Sequence, residues 1–201
     1  MLDLLDYRRR VFEMYQQIRQ LGTNSPQAFE LFQKTRNNLF ANHSQSALDS
    51  KQKQSFSGLF YYDYNPEFRI LAKLQESSEK QDYALDVGDD GEVMLKQIGT
   101  VHFEIGEEAA SLGVFWISGY GGGIFIPFRD ATNQKTSYGG GRYLYDTIKG
   151  ADLGTEGDTL ILDFNYAYHP SCYYNPRWTC PLAPMQNRLA VAIEAGEKLL
   201  S

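Results

Sequence analysis

Apolar residues recur at Leu4, Tyr7, Val11, Met14, Ile18 and Leu21. This is the three-to-four spacing of an amphipathic helix, and Gly22 ends the run. Asn24-Ser25-Pro26 then supplies cap candidates and a proline suited to a first helical turn. Ala28, Leu31, Phe32, Leu39 and Phe40 give a second helix its buried stripe, and the two read as an antiparallel hairpin of helices. From Ala41 to Ser57 the chain is polar and rich in Gln and Ser, a connector with one short helical turn near Ala47.

Beyond Phe56 the texture changes to short runs of aromatic and branched residues punctuated by Gly, Asn-Pro and Asp-Asp-Gly. Strands are predicted over Leu59–Tyr64, Phe68–Glu76, Tyr83–Val87, Glu92–Ile98, Val101–Ile105, Ser111–Ser118, Gly123–Phe128, Gly141–Ile148, Thr159–Tyr168 and Leu189–Glu194. Asp89-Asp90-Gly91 suits a hairpin turn. Gly113–Ile117 and Ile124–Phe128 are apolar on both faces, so they belong at the centre of the sheet. The predicted class is mainly β: an antiparallel β-barrel or sandwich with an N-terminal helical hairpin. The hairpin and connector take residues 1–57, and the β domain with a long C-terminal loop takes 58–201.

At 201 residues with 42% apolar and 22% charged, the chain has a globular balance and enough length to bury a core. Its net charge of -6 argues against a nucleic-acid partner, because phosphate neutralisation needs a basic face. The one basic run, Arg8-Arg9-Arg10, is flanked by Asp3, Asp6 and Glu13 and reads as a solvated helix face. No apolar stretch approaches the length of a bilayer span, and MLDLLDYRRR lacks the order of a secretory leader, so a cytoplasmic location without membrane contact is expected. A homo-oligomer built through the N-terminal helices is compatible with the pattern. Cys172 and Cys180 are the only cysteines; a reducing compartment leaves them as thiols, and an oxidising one permits a small loop-closing disulfide.

The glycine clusters Gly119-Tyr120-Gly121-Gly122-Gly123 and Gly139-Gly140-Gly141 do not open a strand-to-helix phosphate loop, and turns or bulges account for them. No nucleophile elbow, HExxH helix or dinucleotide fingerprint is present, and no cofactor is implied.

Candidate chemistry gathers between Leu160 and Glu197, where a strand passes into a proline-braced loop. Strand alternation over Thr159–Tyr168 puts Asp163 and Asn165 on one face and Tyr166 and Tyr168 on the other. If the strand carrying Arg142 lies beside it, Arg142 pairs with Asp163. Alternatively Arg142 and Arg188 present their guanidinium forks to a small anion, with Tyr138, Asn165, Tyr168 and Asn175 completing the pocket. In a hydrolase-type enzyme using the same pocket, Asp163 or His169 is the base and Arg142 the charge stabiliser. The structural alternative is a buried Arg–Asp–Asn network that fixes the loop and holds no ligand. His169, Cys172 and Cys180 are candidate zinc ligands without an evident fourth, so no metal is assigned. His169 beside Cys172 as base and nucleophile, and His102 with Glu104 on one strand face, are weaker constellations.

Phe128-Arg129-Asp130-Ala131-Thr132, Ser137 to Leu144 (SYGGGRYL), Leu162-Asp163-Phe164-Asn165, Ala167-Tyr168, Pro170, Cys172, Cys180-Pro181-Leu182, Pro184, Asn187-Arg188-Leu189 and Ala195-Gly196-Glu197 together resemble the bacterial and archaeal family known as domain of unknown function 1684. The resemblance covers about the C-terminal half, from Ile124 onward. It implies relatives and names no reaction. Where that family's pattern reads Tyr-Asn-Pro, this chain has Tyr168-His169-Pro170, which counts against an essential role for His169.

Overall fold

The computed structural model describes residues 1–78, 81–86, 91–119 and 121–200. Asp89 and Asp90 of the expected hairpin turn, and Tyr120 of the first glycine cluster, lie outside the described residues. The chain opens with α1 (Leu2–Leu21) and α2 (Pro26–Asn42), separated at Gly22, whose φ of 84° ends the first helix. Ser25 caps α2 by accepting from the Ala28 N–H, and Pro26 occupies the first turn, where its missing donor costs nothing. In the connector, a reciprocal capping box between Asp49 and Gln52 starts α3 (Ser50–Ser55).

The strands are β1 (Phe60–Tyr61), β2 (Arg69–Glu76), β3 (Asp82–Asp86), β4 (Glu92–Ile105), β5 (Glu108–Ile117), β6 (Gly123–Phe128), β7 (Arg142–Asp146), β8 (Thr155–Glu156), β9 (Thr159–Asp163) and β10 (Glu197–Lys198). A curled antiparallel half-barrel runs β7-β6-β5-β4-β2-β9-β8, with β3 beside β4; β1 and β10 form a separate ribbon. The mainly antiparallel β class with an N-terminal helical pair is therefore as the spacing predicts. The centres of β5 and β6 are buried on both faces, as their apolar runs require.

The predicted strands differ from expectation in three places, for reasons visible in their contacts. The predicted strands at Glu92–Ile98 and Val101–Ile105 are one strand, because Gly99 sits at a bulge, not a turn. A Cβ there would lie 2.4 Å from the Gln75 carbonyl oxygen, so only glycine admits the close approach of β2. The strand expected to reach Tyr168 stops at Asp163, whose side chain accepts from the Asn165 N–H and draws Phe164–Tyr166 into a 3-10 turn. Leu189–Glu194 keeps its in-out alternation, with Leu189 and Ile193 buried, yet is not a strand. Its backbone bonds go to the irregular segment at Arg129 and Ala131, so no ladder forms.

The helical pair fills the concave side of the sheet. Met14, Tyr15 and Ile18 of α1 and Phe29 and Phe32 of α2 share one buried cluster with Val101, Leu112, Ile126, Leu144 and Leu162 of the strands. Tyr15 meets Phe32, and Phe32 meets Tyr166, as edge-on ring pairs. Each such side chain contributes about 1.5–3 kcal/mol by leaving water. The chain following β9 then crosses to β7, where Tyr143 and Tyr168 exchange backbone hydrogen bonds of 2.9 and 3.1 Å. This crossing delivers the C-terminal motif to the interior.

Candidate functional site

Arg142, on β7, is 1% exposed. Its partner is Asp130, not Asp163: Nη2 donates to Asp130 Oδ2 at 2.6 Å. β7 and β9 lie at opposite ends of the sheet order, so the assumed neighbourhood with Asp163 does not exist. Phe128 faces Arg142 in the ladder, which puts Asp130 just past the end of β6 and within reach. The terminal nitrogens also donate to backbone, Nη2 to the Ile193 carbonyl at 2.8 Å and Nη1 to the Glu197 carbonyl at 3.1 Å and to that of Ala195, while Nε has no hydrogen-bond partner among the described residues. Asp130 also accepts from the Thr132 N–H at 2.6 Å and from its hydroxyl. A buried cation is thereby matched by a carboxylate, by the carbonyls of Ile193 and Ala195 in a segment without regular structure, and by that of Glu197 at the start of β10.

A second charged group, absent from the residues singled out by sequence, centres on Glu197. Its carboxylate accepts from Arg36 Nε at 2.8 Å, from the Tyr174 hydroxyl at 2.8 Å and from the His169 N–H at 2.7 Å. Arg36 comes from α2, with its guanidinium carbon 4.7 Å from the Tyr168 ring centroid and 5.4 Å from that of Phe32. The signal was present: Ala28, Phe32, Arg36 and Phe40 stand at intervals of four, which puts an arginine in the middle of a buried stripe.

Two asparagines act as pieces of β-ladder. Asn187 accepts from the Gly113 N–H at 2.8 Å and donates to the Gly113 and Pro127 carbonyls at 2.9 and 2.7 Å. Asn165 accepts from the Asn65 N–H at 2.9 Å and donates to the Asn65 carbonyl at 2.8 Å and to Asp163 Oδ1 at 2.9 Å. A primary amide carries a donor and an acceptor side by side, so it completes a neighbouring residue's backbone pair as a strand would. Asn187→Ala is expected to cost about 2–3 kcal/mol, since it strands a buried N–H and two carbonyls; urea unfolding measures it.

Asn175 braces the loop to α3, donating to Gln52 Oε1 at 3.2 Å and accepting from the Arg177 N–H at 3.0 Å. Arg188 is exposed, so its side chain does not join the buried fork of Arg142. Tyr138 is half-buried and its N–H donates to His169 Nε2 at 3.2 Å. His169 is 2% exposed; burial first, then the charges of Arg142 and Arg36, hold it well below the usual imidazole range. A neutral ring whose acceptor nitrogen is already engaged is a poor general base. Asp163 is fully buried, and burial pushes its carboxyl up to about 7 against the opposing hydrogen bonds from Asn165 and the charge of Arg69. Its Oδ2 has no hydrogen-bond partner among the described residues. His102 and Glu104 both face solvent on β4.

Cys172 and Cys180 are free thiols, each partly exposed. The Cys172 N–H points at Cys180 Sγ, 3.4 Å away. Hydrogen bonding from the Cys172 thiol leads the causes that lower Cys180 to about 6, opposed by burial and assisted by backbone N–H groups and Lys149. Cys172 is raised by that same bond and by burial. Among the described residues no three His, Cys, Asp or Glu side chains are grouped to hold a metal ion, so His169 does not complete a zinc site with the two cysteines. An open groove of about 340 Å³ lies between α1 and α2, lined by residues such as Arg10, Glu13, Lys34 and Asn38, and its lining includes no residue of the C-terminal motif.

No helix among the described residues is long and apolar enough to cross a membrane. No curated protein matches the chain. A solution NMR structure of an uncharacterised protein from Haloarcula marismortui is similar at 31% identity, covering 86% of this chain and 93% of that one, with a TM-score of 0.61. The family model described as a protein of unknown function, DUF1684, matches residues 54–198, which extends the likeness upstream of Ile124 through the first strands. The chain belongs to the DUF1684 family of proteins of unknown function.

Proposed function

We propose that the C-terminal motif is an intramolecular clasp and that the chain works as a structural protein, with no small molecule held at Arg142. One observation carries this reading: the two terminal nitrogens of the Arg142 guanidinium are engaged by Asp130 and by the carbonyls of Ile193, Ala195 and Glu197, in a position 1% exposed. An incoming anion would have to displace Asp130 and leave its carboxylate buried and unpaired, a cost of several kcal/mol. Asn165 and Asn187 extend the same arrangement, tying non-strand segments to a loop and a strand, and Glu197 of β10 extends it further by holding Arg36 of α2.

The experiment is native mass spectrometry of the full chain purified without denaturant, with thermal unfolding in the presence of inorganic phosphate or a dicarboxylate. The expected mass is that of the chain alone, and the midpoint is expected to show no saturable rise. A stoichiometric guest, or a saturable rise abolished by Arg188→Gln, would return the anion-binding reading. The hydrolase-type reading keeps one supporting observation, the near-neutral Asp163 with its unpartnered Oδ2. Complete burial of that carboxylate opposes it, since a base must reach its substrate.

A further inference from the structure

The loop from Pro170 to Leu182 carries a feature that the clasp does not use. The Cys172 N–H lies 3.4 Å from Cys180 Sγ, and the surrounding chain is tied down on both sides. The Tyr174 hydroxyl is fixed on Glu197, Tyr173 accepts from the Leu200 N–H at 2.8 Å, and Trp178 Nε1 donates to the Ala47 carbonyl at 3.2 Å. Within this frame the short helix Ser171–Tyr174 presents Cys172, and the Asn175–Trp178 turn brings Cys180 back against it. With the Cys172 backbone 3.4 Å from Cys180 Sγ, the two residues are near enough for side-chain rotation to bring the sulfurs to disulfide geometry.

We infer that Cys172 and Cys180 are a peroxide-reactive dithiol, in which Cys180 attacks a small hydroperoxide and Cys172 resolves the product into a loop-closing disulfide. The Cys180 thiolate forms an S–O bond with the terminal peroxide oxygen as the O–O bond breaks, and the leaving alkoxide or hydroxide takes a proton from water. Cys180 is then a sulfenic acid. Cys172 loses its proton and attacks the Cys180 sulfur; the S–O bond breaks and the departing hydroxide leaves as water. Two electrons pass from the thiols to one hydroperoxide, giving one disulfide, one water and one alcohol, or a second water from hydrogen peroxide. The order of attack follows from the geometry: the Cys172 N–H is directed at Cys180 Sγ, 3.4 Å away, and a donor aimed at that sulfur favours its thiolate.

The test treats the full chain with a slight excess of hydrogen peroxide, blocks remaining thiols with iodoacetamide and maps the peptides by mass. Both thiols are expected to disappear together into a Cys172–Cys180 linked peptide, about tenfold faster than free cysteine at neutral pH. In Cys172→Ser, a sulfenic acid trapped by dimedone is expected at Cys180; Cys180→Ser is expected to leave Cys172 alkylatable over the same period. The unmodified chain gives an independent reading under limiting iodoacetamide, where Cys180 is expected to alkylate first. Two thiols that both stay alkylatable after free cysteine is consumed, or a sulfenic acid and first alkylation at Cys172, would overturn the assignment. Neither result depends on whether Arg142 holds a ligand, so the dithiol and the clasp stand or fall separately.

Discussion

Arg142→Met is expected to lower stability by about 3–5 kcal/mol, read as a fall in the urea midpoint at unchanged slope. The change removes the cation that reaches Asp130 Oδ2 and leaves that carboxylate 2% exposed without its charge partner. It also strips donors from the carbonyls of Ile193, Ala195 and Glu197, which lie in or beside a segment lacking a ladder of its own. Arg142→Lys is expected to restore little, because one ammonium cannot reproduce a planar fork that serves four acceptors. Adding Asp130→Leu to Arg142→Met is expected to recover part of the loss, since the orphan charge is gone; the coupling in that double-mutant cycle measures the pair itself. A pocket-facing arginine gives the opposite pattern, near-normal unfolding with weakened anion binding. A loss below about 1 kcal/mol would therefore remove the clasp.

The gross fold was legible because it rests on period. Leu4, Val11, Met14 and Ile18 mark a helical face however the rest of the chain packs, and the β class follows from short aromatic runs at regular spacing. What escaped was set by contacts between distant segments. Gly99 looks like punctuation in sequence, yet it sits at a bulge of β4 against β5, and glycine is required there because the Gln75 carbonyl oxygen of β2 passes 2.4 Å from where its Cβ would be. Asp163 was placed correctly on a strand, but its own side chain ends that strand by capping Asn165. The partner of Arg142 was within the same matched motif, twelve positions upstream, and finding it required knowing that β6, not β9, lies beside β7. Arg36 gave a usable sign, a cation on an apolar stripe, whereas its pairing with Glu197 spans 161 positions and has no local trace. The spacing of eight permits a loop-closing disulfide between the two cysteines; that the Cys172 N–H points at Cys180 Sγ depends on the course of the loop.

Asp163 makes the second large prediction, and here pH is the variable. Burial raises its folded-state pKa from 3.8 to about 7, so between those values the folded chain keeps a proton that the unfolded chain has released. Stability from this group is present below the unfolded value and is lost as pH rises through the folded one, by on the order of 4 kcal/mol in total. Asn at this position copies the neutral acid: one oxygen still accepts from Asn165, and the amide nitrogen stands where the protonated oxygen would donate. The Tyr64 hydroxyl, itself without a partner among the described residues, feels the Asp163 charge and is a candidate acceptor. Asp163→Asn is therefore expected to match the unmodified chain near pH 4 and to exceed it in stability at pH 8. Plotting the difference between the two unfolding free energies against pH cancels every other titration, and the curve should be level outside the window and sloped within it. A difference that stays level throughout would show that Asp163 is ionised in the fold by pH 4. A hydrolase-type site predicts something else for the same variant, loss of turnover at unchanged or lower stability, so one protein sample assayed both ways separates a buried acid that costs stability from a base that performs chemistry.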